Sequence, residues 1–299
     1  YVFSTNGAFE RWLNGEENLR AYSEVITKPS DALNLAENDY LDIAIDWQPR
    51  SPVMVKSGAD GGIADMLPLV SGYDEKSVTP VIPGSSVKGV LRAHAEKILR
   101  TCLQSELPDS PDYLTQDLFG STEAAGRFFV QDVYQNQNTI DVVKWTAEDK
   151  SAMDGATDHH DNVAIDRFTG GASDTALFND RTPKIDKAWD PIRIQIDFGR
   201  PKVTIQKTNG VATPCFKSLD RDERYRAVVL TLLVLRDMQA GWVPVGFGSR
   251  RGLGEIEVTR MSISGKVGEI REENERTLEK WLSEKNLRDA WTSLVPKLA

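Results

Sequence analysis

The sequence predicts an α+β domain of the ferredoxin-like pattern, in which two β-α-β halves build one antiparallel sheet backed by two helices. Three observations predict it. Residues 40–47 and 192–198 alternate apolar and polar side chains, the signature of half-buried strands. Residues 86–103 repeat apolar side chains at helical spacing, and 220–240 reads as a second long helix, strongly apolar in its middle. These segments, with shorter strands at 127–133 and 255–259, fall in the order strand, helix, strand, twice over.

In the first strand Leu41, Ile43, Ile45 and Trp47 alternate with Asp42, Ala44 and Asp46, so one face is buried and the other wet. Pro83-Gly84 breaks the next extended segment, and Ser85 or Ser86 is placed to cap a helix carrying Val87, Val90, Leu91, Ile98, Leu99 and Cys102 on one side. Arg127 to Val133 reads as the second strand. Ile192, Ile194, Ile196 and Phe198 define the third, and the second helix is stopped by Gly241 at its C-terminal cap. From 134 to 191 no long periodic element is legible, and so long an irregular segment is either functional or disordered. The expected organisation is an N-terminal extension at 1–38, a domain at 39–264 with an insertion at about 134–191, and a charged helical appendage at 265–299 carrying Trp281 and Trp291.

With 299 residues and 40% hydrophobic content the chain can bury a substantial core. Its longest apolar run, 227–235, lies between Arg226 and Arg236 and is too short to cross a bilayer, so no membrane partner is expected. The first twenty residues lack the apolar stretch of a signal peptide. Two cysteines build neither a disulfide framework nor a zinc site, and a cytoplasmic location is expected. A net charge of −9 argues against whole-surface attraction to nucleic acid. The charge is segregated, however: Lys88, Arg92, His94, Lys97 and Arg100 share one helix, while acid concentrates at 10–37 and 269–284.

Four places carry candidate chemistry. The N-terminus of the 86–103 helix, with Ser85, Ser86, Lys88 and Arg92, suits a phosphate, or is only a capped helix on a sheet. The glycine loop at 246–254 departs from the dinucleotide fingerprint and runs into a strand; it is either a structural turn or a phosphate contact through Arg250 and Arg251. His159-His160, flanked by Asp158 and Asp161, reads as a metal site or a solvated loop, and no metal ligand set is assigned. Asp60 and Asp65 lie in a glycine-rich loop, where they hold a cation, orient water, or merely make a turn. With three histidines, no Ser-His-Asp or Cys-His arrangement is legible.

Four stretches resemble the RAMP superfamily, the repeat-associated proteins of CRISPR effector complexes. They are Ile82 to Arg92, Leu118-Phe119-Gly120, Asn162 to Ala172 with Ala176-Leu177-Phe178, and Gly246 to Gly254, in the family's order. The resemblance implies a ferredoxin-like, RRM-like backbone subunit of a type III effector that grips CRISPR guide RNA beside neighbouring RAMP subunits in a filament. It further implies that the insertion is a thumb that displaces a base from the duplex with complementary target RNA. Gly61-Gly62-Ile63-Ala64-Asp65 matches the loop whose aspartate cuts target RNA in catalytic members, which makes Asp65 the catalytic candidate and Asp60 the runner-up. Ser85, Ser86, Lys88, Arg92, Arg167, Arg250 and Arg251 are the expected RNA contacts, and Mg2+ the expected cofactor for cleavage. A noncatalytic subunit, or a guide-processing ribonuclease using His94, are the other readings.

Overall fold

Alternation in the first strand decides which face of the central sheet is buried. The computed structural model describes residues 39–58, 62–103, 112–122, 124–135, 138–199, 202–208, 211–217 and 219–294. The chain divides into two units, Tyr1–Asn38 and Asp39–Ala299; the first lies outside the described residues. The ladder begins with β1 (Tyr40–Pro49), β2 (Val70–Gly72), β3 (Ser77–Ile82), β4 (Phe128–Val130), β5 (Val133–Tyr134) and β6 (Ile140–Asp141). It continues with β7 (Thr157–Ile165), β8 (Ala172–Pro183), β9 (Ile192–Asp197), β10 (Lys202–Thr208), β11 (Val211–Lys217), β12 (Ile256–Val267) and β13 (Ile270–Arg276). Five of these form an antiparallel sheet in the order β13-β12-β1-β9-β4.

Leu41, Ile43 and Ile45 of β1 join Ile192, Ile194 and Ile196 of β9 in the core, all 2% exposed or less. Two long helices bury their apolar stripes in the same cluster: α1 (Gly84–Leu103) through Val87, Leu91, Ala95 and Leu99, and α5 (Arg221–Gln239) through Val228, Leu232 and Leu235. Each such aliphatic side chain contributes roughly 1.5–3 kcal/mol when removed from water. Asp220 closes a capping box with Glu223, which fixes the start of α5. The opposite sheet face stays open, with Asp42, Phe129, Arg193, Gln195, Ser262 and Ser264 lining a cleft of about 400 Å³.

A short helix, α2 (Asp112–Phe119), precedes β4 within the first half, and between the halves lie α3 (Val142–Thr146), α4 (Lys150–Ala156) and the long β7–β8 hairpin. The segment read from sequence as irregular is therefore largely regular. Buried polar side chains anchor it: Asn138 Nδ2 donates to Gln135 Oε1 and to the Ala156 carbonyl, both at 2.7 Å, while Gln135 Nε2 donates to the Lys184 carbonyl at 2.7 Å. Such groups are tolerated inside because each finds a partner. The expected strand at 127–133 is split into β4 and β5, and β10–β11 forms a hairpin that the sequence reading did not anticipate. Nor do residues 265–294 stand apart. β13 extends the central sheet, and α6 (Leu278–Leu282) and α7 (Lys285–Leu294) bring Trp281 and Leu287 into the main core, where the indole Nε1 of Trp281 donates to the Ile263 carbonyl at 3.5 Å.

Gly84 opens α1 where a Cβ would overlap the Val130 carbonyl, whereas Gly89, exposed on the same helix, has nothing within 4 Å of that position. Gly84→Ala is expected to destabilise the chain by about 1–3 kcal/mol through overpacking. Gly89→Ala is expected to be neutral or to stabilise it by up to about 1 kcal/mol. Urea unfolding of both variants checks the pair, and equal midpoints would contradict the close approach.

Candidate nucleic-acid interface

The start of α1 is not capped by its serines. The Pro83 carbonyl accepts from Ser86 and Val87, and the Gly84 amide donates to Asp132 Oδ1 at 2.7 Å. Ser85 and Ser86 thus sit inside the first turn, and an aspartate reaching in from the β4–β5 connection supplies the cap that the sequence reading assigned to them. One turn on, Lys88 and Arg92 line an open cleft of about 700 Å³ with Gly120, Ser121, Gly126 and Phe129. Arg92 is held there, donating to the Gly120 carbonyl at 2.9 Å and to Glu96 at 3.0 Å. Lys88 makes no ion pair among the described residues; partial burial, and then the neighbouring Arg92 charge, lower its ammonium pKa. An anion entering this cleft would relieve both penalties. The exposed Phe129 ring at its edge offers a face on which a base can stack.

The glycine loop serves close backbone approach. Gly246 and Gly254 have φ of 91° and 85°, and side chains there would run into the carbonyls of Met54 and Val245. The Phe247 amide donates to the Met54 carbonyl at 2.7 Å, which closes the loop onto residues 52–54. Arg251 stays exposed yet is engaged: its guanidinium lies 5.1 Å from the Phe178 ring and 5.1 Å from the Phe247 ring, and 3.7 Å from Asp180 Oδ2. It pins the loop to β8, whereas the exposed Arg250 has no ion pair among the described residues. Ser86, Gly246 and Phe247 line one shallow cleft of about 500 Å³ with Lys56 and Val90, so the two segments singled out from sequence are neighbours.

Asp65 is tied to the insertion twice. Its amide donates to Asn179 Oδ1 at 2.8 Å, and its Oδ2 accepts from the Asn179 amide at 2.9 Å. Met66 bridges Asp180 on β8, and the Arg181 amide donates to the Met66 carbonyl at 2.9 Å. Earlier in the loop, the Gly62 and Ile63 amides donate to Glu148. Asp60 lies outside the described residues.

His159 and His160 lie on strand β7, and they bond separately, His159 to Asp161 at 3.2 Å and His160 to Thr182 at 3.1 Å. Among the described residues no group of three His, Cys, Asp or Glu side chains is arranged to hold a metal ion. The far end of the hairpin exposes Arg167, with Val163, Ile165, Phe168 and Leu177, and Phe168 is wholly exposed. The sequence reading missed Asn179, Asp180 and Glu148. Two strand-length runs flanking Thr169-Gly170-Gly171 were the signal that could have marked the hairpin.

A profile of the RAMP superfamily matches residues 49–257, from the end of β1 to the start of β12. The chain belongs to the RAMP superfamily. It thereby falls among CRISPR-associated, RNA-binding components of complexes, and the matched span holds the Asp65 loop, the hairpin and the glycine loop. No curated protein matches it. Among the described residues no helix is long and apolar enough to cross a membrane.

In this RAMP protein His94 is occupied between the long helices, bonded to Asp237 Oδ2 at 2.8 Å. Burial opposes the Asp237 charge, but hydrogen bonds from His94 and Arg236 outweigh it and hold the carboxyl below its ordinary range. A carboxyl depressed on folding contributes stability above its unfolded pKa of about 3.9, and that contribution is lost as pH falls through the folded value. Asp237→Asn is therefore expected to lower the urea midpoint at neutral pH, with the gap to wild type closing below about pH 4. An identical gap at both pH values would show that the charged pair contributes nothing.

Proposed function

We propose that this RAMP protein is a backbone subunit of a type III CRISPR effector, which binds guide RNA in the cytoplasm between like subunits and cuts complementary target RNA through Asp65. The β12-β1-β9-β4 strand order, with α1 and α5 packed in one core, supports a ferredoxin-like, RRM-like domain, and the β7–β8 hairpin supports reading the insertion as a thumb. The observation that carries the proposal is the reciprocal Asp65–Asn179 pair. It fastens the candidate carboxylate to the same hairpin that ends in exposed Ile165, Phe168 and Leu177. An apolar wedge that displaces a base unstacks the strand, and an unstacked nucleotide reaches in-line geometry more readily.

In the proposed reaction the 2′-oxygen bonds to the adjacent phosphorus, the phosphorus–O5′ bond breaks, and the departing O5′ takes a proton from water, leaving a 2′,3′-cyclic phosphate and a 5′-hydroxyl. Asp65 orients or accepts the 2′-hydroxyl proton. Asn179 holds one of its oxygens and leaves the exposed carboxylate facing solvent. The residues present fit a cation bound mainly by RNA oxygens and water, with Asp65 as the one protein carboxylate of this loop among the described residues. When bound, Mg2+ would neutralise charge building on the phosphate. Guide processing by His94 is disfavoured, since its ring is bonded between two helices.

In the assembled complex Asp65→Ala is expected to abolish one metal-dependent cut in target RNA while guide retention is unchanged. Persistence of that cut would reassign the chain to a noncatalytic backbone role. Lys88→Ala is expected to weaken RNA binding for all sequences and to reduce the slope of log affinity against log salt by about one. Titrations at several salt concentrations read it, and an unchanged slope removes the Lys88 cleft from the RNA path.

A further inference from the structure

We infer that the consecutive backbone amides of Gly62 and Ile63 form an anion site for a phosphodiester of single-stranded RNA, which the Glu148 carboxylate occupies in the RNA-free chain. The inference rests on the RNA-binding reading above and adds a site to it. Gly62 donates to Glu148 Oε1 and Ile63 to Glu148 Oε2, each at 2.8 Å, so two successive amides hold both oxygens of one charged group. Successive amides turned to one side form a concavity selective for anions, whatever anion it holds. A phosphodiester presents the same pair of charged oxygens.

The residue that fills the seat stands where sterics favour another. Glu148 follows the C-cap of α3 with φ of 53°, in the left-handed region where glycine is usual, while the Glu148 amide donates to the Trp145 carbonyl at 3.1 Å and the Asp149 amide to the Lys144 carbonyl at 2.9 Å. Among the described residues it is the one non-glycine with positive φ. The side chain that accepts this backbone is the one that reaches the amides. The carboxylate packs directly against Gly62, where a Cβ would come 3.0 Å from Glu148 Oε2. Two residues beyond Ile63 lies Asp65, so a phosphate on these amides sits in the loop that carries the candidate carboxylate. Glu148 is only partly buried, at the joint between α3 and α4, and can swing outward when RNA replaces it.

The test uses the full chain, a fluorescein-labelled single-stranded RNA, and the variants Glu148→Gly and Glu148→Gln. Both remove one negative charge, so their difference isolates the vacated amides from general electrostatics. Glycine also suits the left-handed backbone, which protects folding. Glu148→Gly is expected to bind RNA roughly fivefold more tightly than Glu148→Gln. In the 15N-labelled glycine variant, RNA is expected to shift the Gly62 and Ile63 amide resonances. Equal affinities with unmoved resonances would overturn the site, and weaker binding by the glycine variant would make Glu148 a structural staple instead. Saturation of the same resonances by inorganic phosphate at RNA-like concentrations would assign the seat to free phosphate and overturn the RNA site. Failure of the wild-type chain to bind RNA at all would overturn the RNA-binding reading beneath it.

Discussion

Three consecutive residues of one strand, Asn179, Asp180 and Arg181, hold the functional surfaces in register. Asn179 bonds the Asp65 loop, Asp180 faces Arg251 of the glycine loop, and Arg181 reaches Asp154 on α4 at 2.8 Å and Thr157 at 3.2 Å. Asp180 and Arg181 are each 2% exposed. Ionised groups at that depth are strongly destabilising unless partnered, so the junction tolerates few alternative arrangements. Arg181 in turn holds the Asp154 carboxyl below its usual range through its hydrogen bond. Hairpin, loop and glycine bend are thus tied to one another through adjacent residues of β8.

That junction also separates two kinds of arginine that look alike in sequence. Arg250 and Arg251 are adjacent and both exposed, yet Arg251 lies against two phenylalanine rings and Asp180, while Arg250 has no ion pair among the described residues. A guanidinium stacks on aromatic faces more readily than an ammonium because it is planar and weakly hydrated, which suits Arg251 to a structural place. At α1 a similar division holds between Arg92, bonded to Gly120 and Glu96, and Lys88, which keeps its charge available to the cleft. The surface available to RNA is therefore smaller and more localised than a count of basic residues implies.

Local pattern carried far where burial is one-sided. Period-two alternation located β1 and β9, and helical spacing located α1, because those segments bury mainly one face against the core, whereas α5 is buried nearly all round and was legible from its apolar middle. The insertion escaped notice for the opposite reason. β7 buries little beyond Thr157, so the hairpin offers no apolar alternation to read. The cap of α1 escaped it too, since Asp132 lies 48 residues from the amide it serves.

By itself the sequence determined the core: the apolar periods of two strands and two helices, the glycines needed for close approach, and the motifs that mark a RAMP protein. Those features depend on each residue's neighbours in the chain and on whether it meets water. Only the tertiary structure decided which charges are available, which carboxylate fills the Gly62–Ile63 amides, and that Asp65 belongs to the hairpin as much as to its own loop. A polar side chain's role depends on a partner with specific geometry, and the partners of Gly62, Ile63 and Asp65 lie 85 to 114 residues away.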